Sequence, residues 1–226
     1  DLSRTAPRRP VTISDLPTPA LLNEQSRLQA NLATMQARAD ANDVALRPHT
    51  KTHKSVALAN EQRNRGAEGL TVATVHEAET FVNAGFEDMR VAYPVTGRNK
   101  HERLQALRAD SKISFTVDTV AGADQASAVY AEADIPVDVL IEVDVGHGRC
   151  GVHWADDAAA VTLARRIASL PGLHLAGILT HAGQAYDGPS DGETETDALR
   201  RASRQERDRM LSVASALAEA DGVNVT

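Results

Sequence analysis

The sequence predicts an α/β protein built on a parallel (β/α)8-type barrel, with about six of the eight strands present. Three observations point there. Six short apolar runs recur along the chain, each pair bracketing a stretch suited to a helix, the pattern of βα units around a parallel sheet. The length, 226 residues, is long for an ordinary domain and typical of a single barrel. Titratable residues crowd the ends of some runs, and barrel active sites lie at the C-terminal ends of strands.

Residues 1–15 read as a Pro-rich, polar lead-in, and 16–226 as the barrel. A helix is expected from Asn23, with Leu28, Leu32 and Met35 on one face. The apolar runs are "VALR" (44–47), "GLTVAT" (69–74), "MRVAYP" (89–94), "KISFTV" (112–117), "VDVLIEVDV" (137–145) and "LAGILTH" (175–181). Thr74 and Glu77 form a capping box for the helix after the second run, and Gly85 suits its C-terminal cap. A helix around 156–170 carries Val161, Ala164, Ile167 and Ala168; one over roughly 194–220 carries Leu199, Met210, Val213, Ala214 and Leu217. The charged run "DALRRASRQERDRM" reads as a solvated face of the last helix. A seventh strand should begin near "GVNVT", where the sequence stops. The expectation is a portion of a longer polypeptide, poorly stable alone because an unclosed sheet exposes strand edges and apolar core.

Composition excludes several classes. A net charge of −7 argues against a nucleic-acid binder. Cys150 is the only cysteine, which rules out an internal disulfide or a Cys-based zinc site and fits a reducing cytoplasm. It reads as a packing residue rather than a nucleophile. No secretory h-region and no run of transmembrane length are present. "VDVGHGRCG" contains Gly146, Gly148 and Gly151, a formal G-x-G-x-x-G after a strand. The dinucleotide reading fails because "VHWADD" separates the third glycine from helical residues and the next run ends in "THAG" rather than an acidic residue. A glycine-rich barrel loop making room for a ligand or for Arg149 is the better reading.

The stretch "ALRPHTKTHKS" (45–55) is where chemistry concentrates. Strand alternation puts Ala45, Arg47, His49 and Lys51 on one face, pointing into the barrel with Lys51 at its mouth; Lys54 has the opposite parity. A lysine there can form an imine with a carbonyl compound once its amine is neutral, and burial and neighbouring cations such as Arg47 would favour that. An ion pair is the plainer alternative: Glu142 or Asp144 could meet Arg47, and Asp144 could tie Arg149. His49 and His53 lack an accompanying carboxylate, which argues against a metal site there. His181 could simply hydrogen-bond a carbonyl, and Tyr186 could be an exposed loop aromatic.

The segments "TPALLNEQSRLQANLATMQ", "RPHTKTHK", "TVATVHEAETFVNAGFEDMRVAYP", "IEVDVGHGRCGV" and "GILTHAGQAY" resemble the D-threonine aldolase and D-serine dehydratase family. This is the pyridoxal phosphate (PLP) fold type III group, which shares the N-terminal barrel of alanine racemase. The resemblance covers nearly the whole chain. It implies that Lys51 forms the imine with PLP, that Arg149 and His181 lie near the cofactor, and that Tyr186 contacts it. Many dehydratases have a further tyrosine where this chain has Leu179. The implied function is a PLP-dependent lyase for D-3-hydroxy amino acids. D-threonine aldolase comes first, with D-serine or D-3-hydroxyaspartate dehydratase as the alternative, and a racemase or a non-catalytic PLP protein behind. A divalent metal is implied in a C-terminal domain beyond Thr226. The implied partners are a small-molecule D-amino acid and a second copy in a cytoplasmic homodimer, with no nucleic acid and no membrane.

Overall fold

The computed structural model describes residues 12–133 and 135–223. The chain falls into two compact units, residues 1–44 and 45–226. In the first, helix α1 (Gln25–Ala41) starts two residues later than Asn23 because Glu24 is its cap: the Glu24 carboxylate accepts from Ser26 N at 3.1 Å and Arg27 N at 2.7 Å. Leu28 and Leu32 are half-buried and Met35 is exposed.

The second unit runs α2 (Val56–Asn64), β1 (Leu70–Val72), α3 (Val75–Asn83), β2 (Asp88–Pro94), α4 (Arg98–Leu107), β3 (Lys112–Val117), α5 (Val120–Tyr130), β4 (Val137–Asp144), β5 (Val152–His153), α6 (Asp157–Ser169), β6 (Leu173–Thr180) and α7 (Glu195–Ala218). Every strand pairing is parallel, in the order β1-β2-β3-β4, with β6 on the far edge of β4. Val143 pairs with both Thr180 of β6 and Val152 of β5. The short β5 therefore lies on the β3 side of β4, where Gly151 N reaches Asp118 just beyond β3. Among the described residues the sheet does not close: β6 pairs only with β4.

Alternation along the strands sorts the core. Leu70, Val72, Met89, Val91, Ile113, Phe115, Val117, Val139, Ile141 and Val143 fill the helix-covered face, packed with Phe81 of α3, Leu104 of α4, Ala126 of α5 and Ile167 of α6. Burying a side chain such as Phe115 or Ile141 contributes about 1.5–3 kcal/mol. The expected helix start at Thr74 holds, with Thr74 Oγ1 accepting from Glu77 N at 3.1 Å. The Glu77 carboxylate, however, takes Ala73 N at 2.7 Å rather than closing the box on Thr74. Gly85, at φ +83, follows the C-cap Ala84.

The strand expected at 44–47 is not formed. Its place is taken by a single bridge, His49 to Thr71. Thr71 N donates to Pro48 O at 2.8 Å, but Pro48 has no N–H for the next rung, so the ladder cannot extend back to Arg47. Continuing the register places Arg47 beside Gly69, and that glycine has a steric reason. A Cβ there would lie 2.1 Å from Arg47 Nη1. The guanidinium crosses this gap to reach Asp88 at the start of β2, with two hydrogen bonds of 2.8 Å. Arg47 is thus tied to the bottom of the sheet. Its carboxylate partner is Asp88, not Glu142 or Asp144, although the side chain still borders the cavity described below.

Candidate active site

The inner face of the sheet carries polar side chains in layers. The lowest is neutralised in pairs: Arg47 with Asp88, and Asp138 with both Lys112 (3.1 Å) and His174 (2.8 Å). In register with Asp138, Arg90 Nε donates to Ser114 Oγ at 3.2 Å. Near the C-terminal ends of the strands the inner face opens into a cavity of about 550 Å³, whose walls include Arg47, His49, Lys51, Tyr93, Glu142, Arg149, Leu179 and His181.

Lys51 reaches this cavity by a different route from strand alternation. After His49 the chain turns through a short 3-10 segment, Thr50–Thr52, capped by His49, whose Nδ1 accepts from Lys51 N at 3.3 Å. The turn is anchored by the fully buried Thr50, whose hydroxyl donates to Thr71 O at 3.3 Å. Lys51 is exposed, contrary to the burial expected of it, and its amine has no ion-pair partner among the described residues. Lys54 lies outside the cavity and pairs with Glu77 at 3.1 Å. Parity thus selected the lysine that lines the cavity, although the backbone there is a turn.

The cavity wall is cationic. Burial lowers the His49 pKa, and Lys51, His181 and Arg149 push it down further, against an opposing Glu77. His181 is likewise lowered by burial first, then by Arg149, Lys51 and His147. Both imidazoles are therefore neutral near pH 7. One carboxylate faces this group. Glu142, 1% exposed, stands 3.8 Å from Arg149 Nη2, and its other oxygen has no hydrogen bond of good geometry. Burial raises its pKa, opposed by Thr116 and Arg149.

Arg149 comes from the glycine loop, and Asp144 shapes that loop rather than pairing with either arginine. Its carboxylate accepts from Gly146 N (2.9 Å), His147 N (2.9 Å) and Gly148 N (3.0 Å). Burial works against the Asp144 charge, but those three amides hold its pKa low. The amides that would bind a pyrophosphate are thus committed to Asp144, and β5 follows the loop where a dinucleotide site needs a helix. Gly151 (φ +107) packs so tightly on β4 that a Cβ would meet Asp144 N at 2.7 Å.

Tyr186 is 74% exposed and is not part of the cavity wall. It stands in an edge-on cluster with His181 (5.8 Å between centroids) and His147 (6.4 Å). No group of three or more His, Cys, Asp or Glu suited to a metal occurs among the described residues, and no described helix is long and apolar enough to cross a membrane. Sequence reasoning missed Tyr93 and assigned Glu142 to the wrong arginine. The available signal was an acidic residue in the middle of the strand "VDVLIEVDV", sharing parity with Asp138 and the loop-capping Asp144.

A six-stranded parallel α/β sheet with a lysine, an arginine and a histidine converging at its C-terminal edge places the chain among barrel-type α/β domains. The chain belongs to the alanine racemase N-terminal domain family, whose model matches residues 24–225. It is 43% identical over 171 residues to D-threonine aldolase of Arthrobacter sp., covering 76% of this chain and 43% of that protein. Among solved structures it resembles D-threo-3-hydroxyaspartate dehydratase from Delftia sp. HT23, with TM-score 0.84 and 36% identity over 93% of this chain and 54% of that one. It also resembles D-threonine aldolase from Filomicrobium marinum, with TM-score 0.76 and 31% identity over 90% of this chain and 54% of that one. The chain spans about half the length of the relatives it matches.

Proposed function

We propose that this chain carries the PLP-binding barrel of a lyase acting on D-3-hydroxy amino acids. D-threonine aldolase is the first reading, and D-serine or D-3-hydroxyaspartate dehydratase is the alternative. The observation that carries it is the convergence of Lys51, Arg149 and His181 on one cationic cavity with a single buried carboxylate. The residues fit the cofactor: about 550 Å³ is within the usual range for small-molecule sites, and the wall offers a primary amine and several cations to an anionic, carbonyl-bearing ligand.

In this reading Lys51 would attach the cofactor, Arg149 and His181 would hold it, and Tyr186 would contact it. PLP supplies an electron sink for the pair left when a bond of the bound amino acid breaks. For dehydration, the Lys51 amine would take the Cα proton and the β-hydroxyl would leave, protonated, as water; hydrolysis of the resulting enamine would give a keto acid and ammonia. For retro-aldol cleavage, a base would take the β-hydroxyl proton, the Cα–Cβ bond would break to release an aldehyde, and Cα would then take up a proton to give glycine. A divalent metal that handles the β-hydroxyl belongs to the part of such enzymes outside these residues. A cytoplasmic homodimer remains the expected setting.

The full-length protein should be yellow, and borohydride should fix the cofactor to the peptide containing Lys51. A colourless protein that binds NADH instead would end this reading. Product analysis with D-threonine and D-serine, with and without chelator, then separates aldolase from dehydratase. L-amino acid as product would expose a racemase, and bound PLP without turnover a non-catalytic carrier.

A further inference from the structure

We infer that Arg209 of α7 is a positioning residue for the glycine loop, locking residues 145–151 in the conformation that delivers Arg149 to the cavity. The expected solvated face of the last helix is interrupted at this residue. Arg209 is half-buried, and its Nη1 donates to Val145 O, the carbonyl at the junction of β4 and the loop, at 2.5 Å. The guanidinium lies over the Trp154 ring, 4.8 Å from its centroid, and Trp154 N donates in turn to Asp144 O at 3.1 Å. Trp154 follows β5 directly, so one arginine joins α7, the exit of β4 and the segment returning from the loop. Gly146 bears the imprint of this contact: a Cβ there would meet Arg209 Nη1 at 2.6 Å, in a backbone already at φ +119. The loop is therefore held at two points, by Asp144 through three amides from within and by Arg209 through Val145 from the α7 side. Three residues beyond the Gly146 contact stands Arg149, which touches the cavity; Arg209 does not line it.

The consequence for Arg149 rests on the PLP reading; the lock itself does not, so its test begins without cofactor. In the full-length apo-protein, Arg209→Met should raise amide exchange at 146–151 about tenfold, the effect of losing one charge-assisted hydrogen bond. Exchange in β2 and β3 should stay unchanged. Emission of Trp154, the one tryptophan of these 226 residues, should shift in the same variant, read as the difference from a Trp154→Phe protein. Arg209→Lys keeps the charge without the planar stack and should fall between wild type and Arg209→Met. With PLP added back, Arg209→Met should weaken cofactor binding by about tenfold as well. Gly146→Ala should cost less in the Arg209→Met background than in wild type, because the competing side chain is gone.

Unchanged loop exchange overturns the lock, and so does a rise spread evenly over the barrel. Faster loop exchange with unaltered PLP affinity overturns the delivery of Arg149. Wild type failing to bind PLP sinks the cofactor reading and leaves the exchange result standing. Should Arg209→Met not fold, Arg209→Lys and Trp154→Phe carry the same comparison with smaller expected changes.

Discussion

The two ends of the inner face are both rich in charge, yet they are organised in opposite ways. At the N-terminal end each carboxylate is closely engaged: Arg47 grips Asp88 with two bonds, and Asp138 meets Lys112 and His174 together. At the C-terminal end Lys51, Arg149, His49 and His181 crowd one cavity with a single buried carboxylate, Glu142, only loosely engaged at 3.8 Å. Paired charges cost little to keep and hold a sheet interior together; cations without a close partner, beside imidazoles whose protonation they disfavour, are tolerated where a ligand completes them. The comparison separates scaffold from site, and substitutions at either end test it.

The largest effect is expected at Lys51. Lys51→Arg keeps the charge but removes the nucleophilic amine. Covalent attachment of PLP after borohydride should vanish and turnover fall by about 10³-fold or more. Because Lys51 is exposed and has no ion-pair partner among the described residues, the melting temperature of the apo-protein should not move. A Lys51→Arg protein that still fixes the cofactor would shift the chemistry to another lysine.

Glu142 should show function and stability moving apart. Glu142→Gln keeps the shape and removes the charge opposite Arg149. Cofactor affinity should drop by about tenfold if Glu142 acts by holding Arg149 toward the cavity; a rise would mean that its charge only opposes the anionic ligand. Stability should not fall, since a buried carboxylate carries a desolvation penalty that the amide escapes. At the other end, Asp138→Asn should do the reverse: a loss of about 1–3 kcal/mol in unfolding free energy with kcat unchanged. If Asp138→Asn altered kcat, or Glu142→Gln destabilised the fold, the two layers would not be distinct.

Much of this arrangement can be read from the sequence, for identifiable reasons. Buried parallel strands announce themselves as apolar runs, and 112–117 and 137–144 lie where they were expected. The first strand does not form because one proline removes a ladder donor, which an apolar run cannot reveal. The two-residue β5 is too short for any periodicity and depends on Gly151 lying flat on β4. In the site, Lys51 emerged from alternation that ends at His49; the turn capped by that histidine delivers it. The partners of Glu142, Asp144 and Arg209 were hidden because long-range pairing is set by loop conformation. No spacing rule predicts that three loop amides will claim Asp144.

The smallest expected effect is the response to acid. Burial lowers the pKa of His49, His53, His101 and His181. A histidine whose folded pKa is depressed binds fewer protons folded than unfolded. Its contribution to stability is complete above the ordinary value near 6.5 and is lost as pH falls below it, at up to about 1.4 kcal/mol per pH unit for each group. His101 provides a test outside the site: it is fully buried against Phe115 and Tyr130, and neither ring nitrogen has a hydrogen bond of good geometry. His101→Leu should flatten the decline of melting temperature between pH 7 and 5 with or without PLP. Replacing His49 or His181 should flatten it mainly in the apo-protein, because a bound anion at the cavity favours their protonated forms and offsets the burial that depresses them. Asp138 acts in a lower window. Burial opposes its ionisation, but His174 and Lys112 hold its pKa low, so its contribution is complete above the usual carboxylate range and disappears as pH falls through the depressed value. A bound cofactor should therefore reshape the histidine stage of acid unfolding and leave the Asp138 stage in place. A PLP-dependent change confined to the lower window would assign the anion to the wrong end of the sheet.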